Sequence, residues 1–177
     1  METNFKLFDP QIDAANKLPD SPGNYFLVLR TGCQLPQIGI TPIFTQWEHE
    51  GKSYNIIYTG ISSKSLKERD YAQHFTGNNA GRSTLRKSLG SMMGFPKIPR
   101  DKNKPENGKT KFNEQDEEQL SQWMKQNLLL FYKVCNAQKI EENEKNYICK
   151  YNPPLNIQGN TNEINKDFRE ALKKLRK

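Results

Sequence analysis

Glu144 sits where an amphipathic helix should carry an apolar residue. In IEENEKNYICKYNPPLN, Ile140 to Asn156, the residues Ile140, Tyr147, Ile148 and Tyr151 stand at i, i+7, i+8 and i+11, the stripe of a helix packed on a core; Glu144 takes the i+4 place. Three other side chains break local expectation. Tyr25 and Tyr58 begin or end apolar strands beside Gly23 and Gly60, and Arg69 heads a helix that follows the second tyrosine. A carboxylate, a guanidinium and two phenols are groups that hold cations, grip oxyanions and exchange protons. Each also has a plainer reading when taken singly. A tyrosine at a strand end is commonly a core residue with its hydroxyl in water, and a glutamate on a stripe can lie at the edge of the buried face.

The elements that must position these groups follow from local pattern. Asp9 as N-cap and Pro10 at the first helical position predict a short helix to about Lys17, stopped by Pro19 and Pro22. Asn24 to Arg30 reads as a strand with Tyr25, Leu27 and Leu29 on one face; Tyr54 to Thr59 reads as a second, with Tyr54, Ile56 and Tyr58 on one face. Between them, Thr31 to Ser53 contains Gly32, Pro36, Gly39 and Pro42, the mark of an irregular excursion or a small extra hairpin. After Gly60 the pattern turns helical, from a cap at Ser62 or Ser63 through Phe75 to Gly77. A shorter helix starts near Ser83 and ends at Gly90 or Gly94, and Arg100 to Thr110 is a charged loop. Asn113 opens a helix with acidic residues in its first turn, Leu128 to Cys135 is a third strand, and the Glu144 helix follows. A basic amphipathic helix over about 161–177 closes the chain. The order predicts one α/β domain over residues 1–177 with its core at about 18–160: a small, three-stranded, mainly antiparallel sheet flanked by helices.

With 34% apolar residues and a mean hydropathy of −0.91, the core is modest and polar segments are long. The formal charge of +7 favours an anionic partner. It is concentrated: Ile61 to Lys111 holds 12 Lys and Arg against 4 Asp and Glu, and Lys166 to Lys177 holds six against two. Cys33, Cys135 and Cys149 lack any zinc or CxxC spacing, and His49 and His74 are the only histidines, which suits reduced thiols in a cytosolic protein. No signal-like N-terminus and no bilayer-length apolar run is present, so a cytoplasmic location with no membrane partner is expected.

Taken in order, GNY at Gly23 to Tyr25, YTG at Tyr58 to Gly60, Arg69 nine positions after that glycine, Glu144 in a helix, and Asn156 twelve positions later in NPPLN resemble the GIY-YIG endonuclease family. The resemblance runs from about Leu18 to Asn160. Asn24 replaces the first isoleucine and Thr59 the second. The two tyrosines stand 33 positions apart, longer than in compact members, so residues 31–53 read as an insertion.

The resemblance implies a metal-dependent DNA endonuclease that hydrolyses phosphodiester bonds. It implies Glu144 as the ligand of Mg²⁺ or Mn²⁺ and Arg69 as the grip on the scissile phosphate; one of Tyr25 and Tyr58 accepts the proton of water while the other positions it. Tyr58 is favoured as acceptor because it joins directly to the helix carrying Arg69. A phenol ordinarily titrates near 10, so nearby positive charge from Lys64, Lys67 or the metal must help it. Asn156 is expected to tie the turn after Pro153 and Pro154 to backbone near the site. Some members carry a histidine one turn after the arginine. His74 lies five positions on, about 140° round an α-helix, so it is expected to face solvent with at most an auxiliary role.

Arg82, Arg86 and Lys87, on or before a helix N-terminus, read as contacts to nucleic-acid phosphates. Lys173, Lys174, Arg176 and Lys177 either follow DNA or face water on a capping helix. Two other readings stay open. A non-cleaving nucleic-acid-binding module or regulatory partner leaves an intact tyrosine, arginine and glutamate set unexplained; an interaction protein with accidental motifs leaves Glu144 on its apolar stripe unexplained. No base-reading motif marks the substrate. Specificity therefore falls to the 31–53 excursion, the Phe95 to Phe112 loop, the tail, or a homodimer or protein partner.

Overall fold

The computed structural model describes residues 4–77 and 80–177, so the domain expected over 1–177 is covered except at residues 1–3 and 78–79, which lie outside the described residues. Strand β2 (Gly23–Leu29) is buried at every position because apolar layers cover both faces of the sheet. Tyr25, Leu27 and Leu29 point into one layer with Ile57, Leu66, Phe75 and Leu85. Phe26 and Val28 point into the other, an aromatic layer with Trp47, Phe131, Tyr147 and Tyr151.

The sheet has five strands, not the three expected. Strands β1 (Lys6–Phe8), β3 (Gln46–His49), β4 (Lys52–Ser62) and β7 (Leu128–Val134) join β2 in the order β1-β7-β2-β4-β3, with all pairs antiparallel. The two unforeseen strands are three- and four-residue edges, too short to display a period of two. Strand β3 is the hairpin partner of β4, so the 31–53 excursion ends as a small hairpin. A second hairpin, β5 (Ile98–Pro99) with β6 (Thr110–Lys111), spans the charged segment from Arg100.

The helix expected from Pro10 does not form. Asp9 instead binds Arg30 through both carboxylate oxygens and accepts the Gln11 amide at 2.9 Å, holding a turn that leaves only a 3-10 helix at Ala15–Lys17.

The face assigned to β4 is also corrected. Leu27 opposes Tyr58 while Val28 opposes Ile56, so Ile57 is the extra residue of a β-bulge. Tyr54 and Ile56 stay on the aromatic side, and Tyr58 is turned to the side of Tyr25.

The helix after β4 starts later than expected, at Lys67, because Ser65 accepts the Glu68 amide at 3.1 Å and itself donates its amide to Ser62 Oγ at 3.0 Å. It is a π-helix, Lys67–Phe75, closed by the Thr76 amide on the Tyr71 carbonyl five residues back. Helices α1 (Thr84–Met92, capped by Ser83), α2 (Glu114–Asn127, capped by Asn113), α3 (Ile140–Tyr151) and α4 (Lys166–Leu175) follow. Helix α1 packs between α2 and α4. Among the described residues no helix is long and apolar enough to cross a membrane.

Candidate active site

The bulge in β4 brings the two tyrosines together, with ring centroids 6.3 Å apart. Gly60 lies opposite Tyr25 in the neighbouring strand, and a Cβ there would come within 2.3 Å of the Tyr25 hydroxyl oxygen; the phenol crosses the space a side chain would fill. At Gly23 a Cβ would meet the Lys133 carbonyl at 2.2 Å. Both glycines of the paired motifs are therefore demanded by close packing of the sheet rather than by turns.

Tyr58 lines a cavity of about 570 Å³ with Thr84, Glu144, Ile148, Asn156 and Arg176. Its hydroxyl is hydrogen-bonded to Thr84 Oγ1 at 3.2 Å. Glu144 and Ile148, one turn apart on α3, form one wall, which explains the carboxylate on an apolar stripe: that part of the stripe faces the cavity. Glu144 is half-buried, and burial raises its pKa above the ordinary carboxylate value, opposed by Arg69 and reinforced by Glu141.

Two asparagines fix the elements that carry these groups. Asn156 Oδ1 accepts the Thr59 amide at 2.8 Å and its Nδ2 donates to the Thr59 carbonyl at 2.9 Å, while the Leu155 amide bonds the bulge residue Ile57 at 3.0 Å. The NPPLN turn thus runs along β4 beside Tyr58. Asn24 donates to the Ile140 carbonyl at 2.8 Å and accepts from Asn143 at 3.1 Å, clamping the start of α3 to β2 immediately before Glu144. The sequence presents Asn24 only as a departure from the motif's first isoleucine, not as a clamp. Its signal was a polar residue in an otherwise apolar strand, which must find partners when buried.

His74 is the clearest correction. It is fully buried; its Nε2 is 2.8 Å from the Tyr25 hydroxyl and its Nδ1 2.9 Å from Ser83 Oγ. The cause is the π-helix. Its hydrogen bonds join residues five apart, so residues five apart come to stack, and the 140° offset of an α-helix does not apply. Burial holds the His74 pKa well below its ordinary value, with Arg69 and Arg86 adding to the effect. The imidazole is neutral and offers one donor and one acceptor. Either Tyr25 donates to Nε2 and Nδ1–H donates to Ser83, or Ser83 donates to Nδ1 and Nε2–H donates to Tyr25.

Burial raises both phenols, Tyr25 well above its ordinary value, and the cation that acts on both is Arg69. Lys64 and Lys67, expected to supply that charge, are exposed. Arg69 is half-buried, donates to Gln73 Oε1 at 2.7 Å, and lines a second, shallower pocket with Ser62, Lys64 and Glu68.

Arg86 is not a surface contact. It is fully buried, bonded through Nε and Nη2 to Glu117 at 3.1 and 2.7 Å, and through Nη1 to the His74 carbonyl at 2.7 Å. Following its cap at Ser83, α1 turns Leu85, Arg86 and Leu89 inward, and the arginine meets a carboxylate 31 residues away. Arg82 is exposed and Lys87 half-buried.

Asp70 is fully buried, its carboxyl oxygens have no hydrogen-bond partner, and Oδ1 lies 4.0 Å from His74 Nε2. Burial raises its pKa well above 3.8, against the pull of Arg69. The unfolded chain releases this proton above about pH 3.8 while the folded protein keeps it, so Asp70 costs stability increasingly as pH rises towards its folded pKa. Asp70→Asn should therefore stabilise the protein at pH 7, by about 1.4 kcal/mol for each pH unit between the two pKa values, and by nothing near pH 3. Urea unfolding at both pH values checks this. A loss of stability equal at both would mean that the carboxyl itself makes a needed contact.

The chain matches the family model for the GIY-YIG catalytic domain over residues 23–177, and so belongs to that family of nucleases. No curated protein and no solved structure matches it.

Proposed function

We propose that the protein is a metal-dependent endonuclease that hydrolyses phosphodiester bonds of DNA. The observation that carries this reading is the cavity shared by Tyr58 and Glu144, with the Arg69 charge acting on both. The Glu144 carboxylate, which accepts no hydrogen bond from the described residues, suits a hard divalent cation, Mg²⁺ or Mn²⁺, whose contribution is Lewis-acid polarisation of a phosphate oxygen. Among the described residues no cluster of three His, Cys, Asp or Glu gathers into a closed cage. A single carboxylate beside substrate phosphate is the usual way of holding Mg²⁺.

Arg69 presents a planar fork to the scissile phosphate and neutralises the charge that grows on it. Tyr58 takes the proton of the attacking water, since its hydroxyl reaches the cavity while Tyr25 is fully buried. Thr84, hydrogen-bonded to Tyr58, stabilises the phenolate, and Arg69 favours the same form; both work against burial. Tyr25, held by His74, sets the tilt of the Tyr58 ring. Asn156 and Asn24 hold β4 and α3 at the spacing this needs. One cavity per chain nicks one strand, so a double-strand cut requires a second copy or a second visit.

Arg69→Ala and Arg69→Lys should each lower the nicking rate by about 10²-fold or more, with DNA affinity changed far less, because the fork acts on charge that develops during reaction. Single-turnover nicking of supercoiled plasmid measures the rate and fluorescence anisotropy the affinity. An undiminished rate in Arg69→Ala would remove the phosphate role.

A further inference from the structure

Arg176 and Lys97 lie within electrostatic reach of Lys87, outside the catalytic set, and none of the three forms an ion pair among the described residues. Arg176 follows the last residue of α4 and stands in the wall of the cavity that holds Tyr58 and Glu144. Lys87 is half-buried on α1, the helix against which α4 packs. Burial holds the Lys87 ammonium below its ordinary range, and the Arg176 and Lys97 charges push it further the same way. Burial also lowers Arg176. Three cations that repel one another while two are partly stripped of water are unfavourable in the free protein, and an anion bound between them relieves both costs. The negative end of the α4 dipole favours cations at Lys173, Lys174 and Arg176.

We propose that Arg176, Lys87 and Lys97 bind the backbone phosphates that adjoin the scissile one, leading a DNA strand out of the cavity along α1. The proposal rests on the nuclease reading. Tyr58 lies within electrostatic reach of two arginines, Arg69 and Arg176, that are far apart in the chain. Arg69 takes the reacting phosphate, and Arg176 takes its neighbour, which makes Arg176 a positioning residue. Its planar fork suits that task, and the two lysines extend the track as point charges.

The test uses the full chain carrying Glu144→Gln, so that binding is read without cutting, and a fluorescein-labelled duplex of about 30 base pairs titrated from roughly 50 to 200 mM salt. Arg176→Ala should weaken binding about tenfold and reduce the slope of log affinity against log salt by about 0.9, the release of one phosphate contact. Lys87→Gln should do the same, Arg176→Lys should keep the slope, and Lys173→Ala, on the exposed side of α4, should leave both unchanged. A thermal melt establishes that each variant is folded, and Lys87→Gln reads the track independently should α4 loosen in Arg176→Ala. Unchanged slopes in both Arg176→Ala and Lys87→Gln would overturn the track, even where the parent protein cuts DNA. Reduced slopes in a protein that cuts no DNA would keep the track and remove the nuclease.

Discussion

Replacing Glu144 with alanine or glutamine should abolish nicking, with a fall of about 10³-fold or more, roughly 4 kcal/mol of lost transition-state stabilisation. The fold should not suffer. The carboxylate accepts no hydrogen bond from the described residues, so neither change orphans a protein donor. Its folded pKa is raised above 4.5, first by burial, so the folded protein holds this proton to higher pH than the unfolded chain does. Glu144 therefore costs stability as pH rises above about 4.5, and Glu144→Gln should be slightly more stable than the parent at pH 7 and equal to it at pH 4. A catalytic defect joined to unchanged or improved stability separates a functional carboxylate from a structural one. Single-turnover nicking and thermal unfolding on one preparation read both; full activity in either variant, or a large loss of stability, would sink the assignment.

Arg86→Ala should act in the opposite way, lowering stability by about 3–5 kcal/mol. The Arg86 guanidinium is fully buried and reaches the Glu117 carboxylate, the Glu117 and His74 carbonyls and the Ser121 hydroxyl. Truncation leaves Glu117 buried without its counter-charge, with the Ala80 and Phe112 amides still bonded to it. For a chain of this size the loss corresponds to a fall in Tm of about 10 °C. High salt should not rescue it, because a pair withdrawn from water is little screened. Arg82→Ala, at the exposed last residue of the 3-10 turn Ala80–Arg82, should change stability by no more than about 0.5 kcal/mol. Urea unfolding distinguishes them. A loss below about 1 kcal/mol for Arg86→Ala would mean that the buried pair is replaceable, and a matched fall in the salt slope of DNA binding would restore Arg86 to the surface role that its sequence position suggests.

The contrast between Glu144 and Arg86 marks what could be read from the chain. Local signals carried far. Ser83 and Asn113 cap their helices, the strands at Gly23 and Leu128 start within a residue of where composition places them, and Tyr58, Glu144 and Asn156, picked out by order along the chain, line one cavity. The corrections share a non-local cause. Arg86 looked like surface charge because its partner is 31 residues away. His74 looked solvent-facing because a π-helix cannot be told from an α-helix by periodicity, and its tighter overlap of residues five apart depends on how Asp70, His74 and Phe75 are buried under the sheet. Tyr58 was assigned to the wrong face because a bulge is a property of two paired strands, visible only when Leu27 and Val28 meet their partners. Arg176 could be counted among the tail's cations, but its place on the cavity wall depends on how α4 returns to α1.

The most direct measurement is nicking of supercoiled plasmid by the parent protein and by Glu144→Ala, each with Mg²⁺, with Mn²⁺ and with EDTA. Conversion to open circles by the parent with either metal, none with EDTA, and none by Glu144→Ala under any condition is the expected result. Nicking that persists in EDTA, or that Glu144→Ala performs as well as the parent, would contradict a metal-dependent site built on this carboxylate.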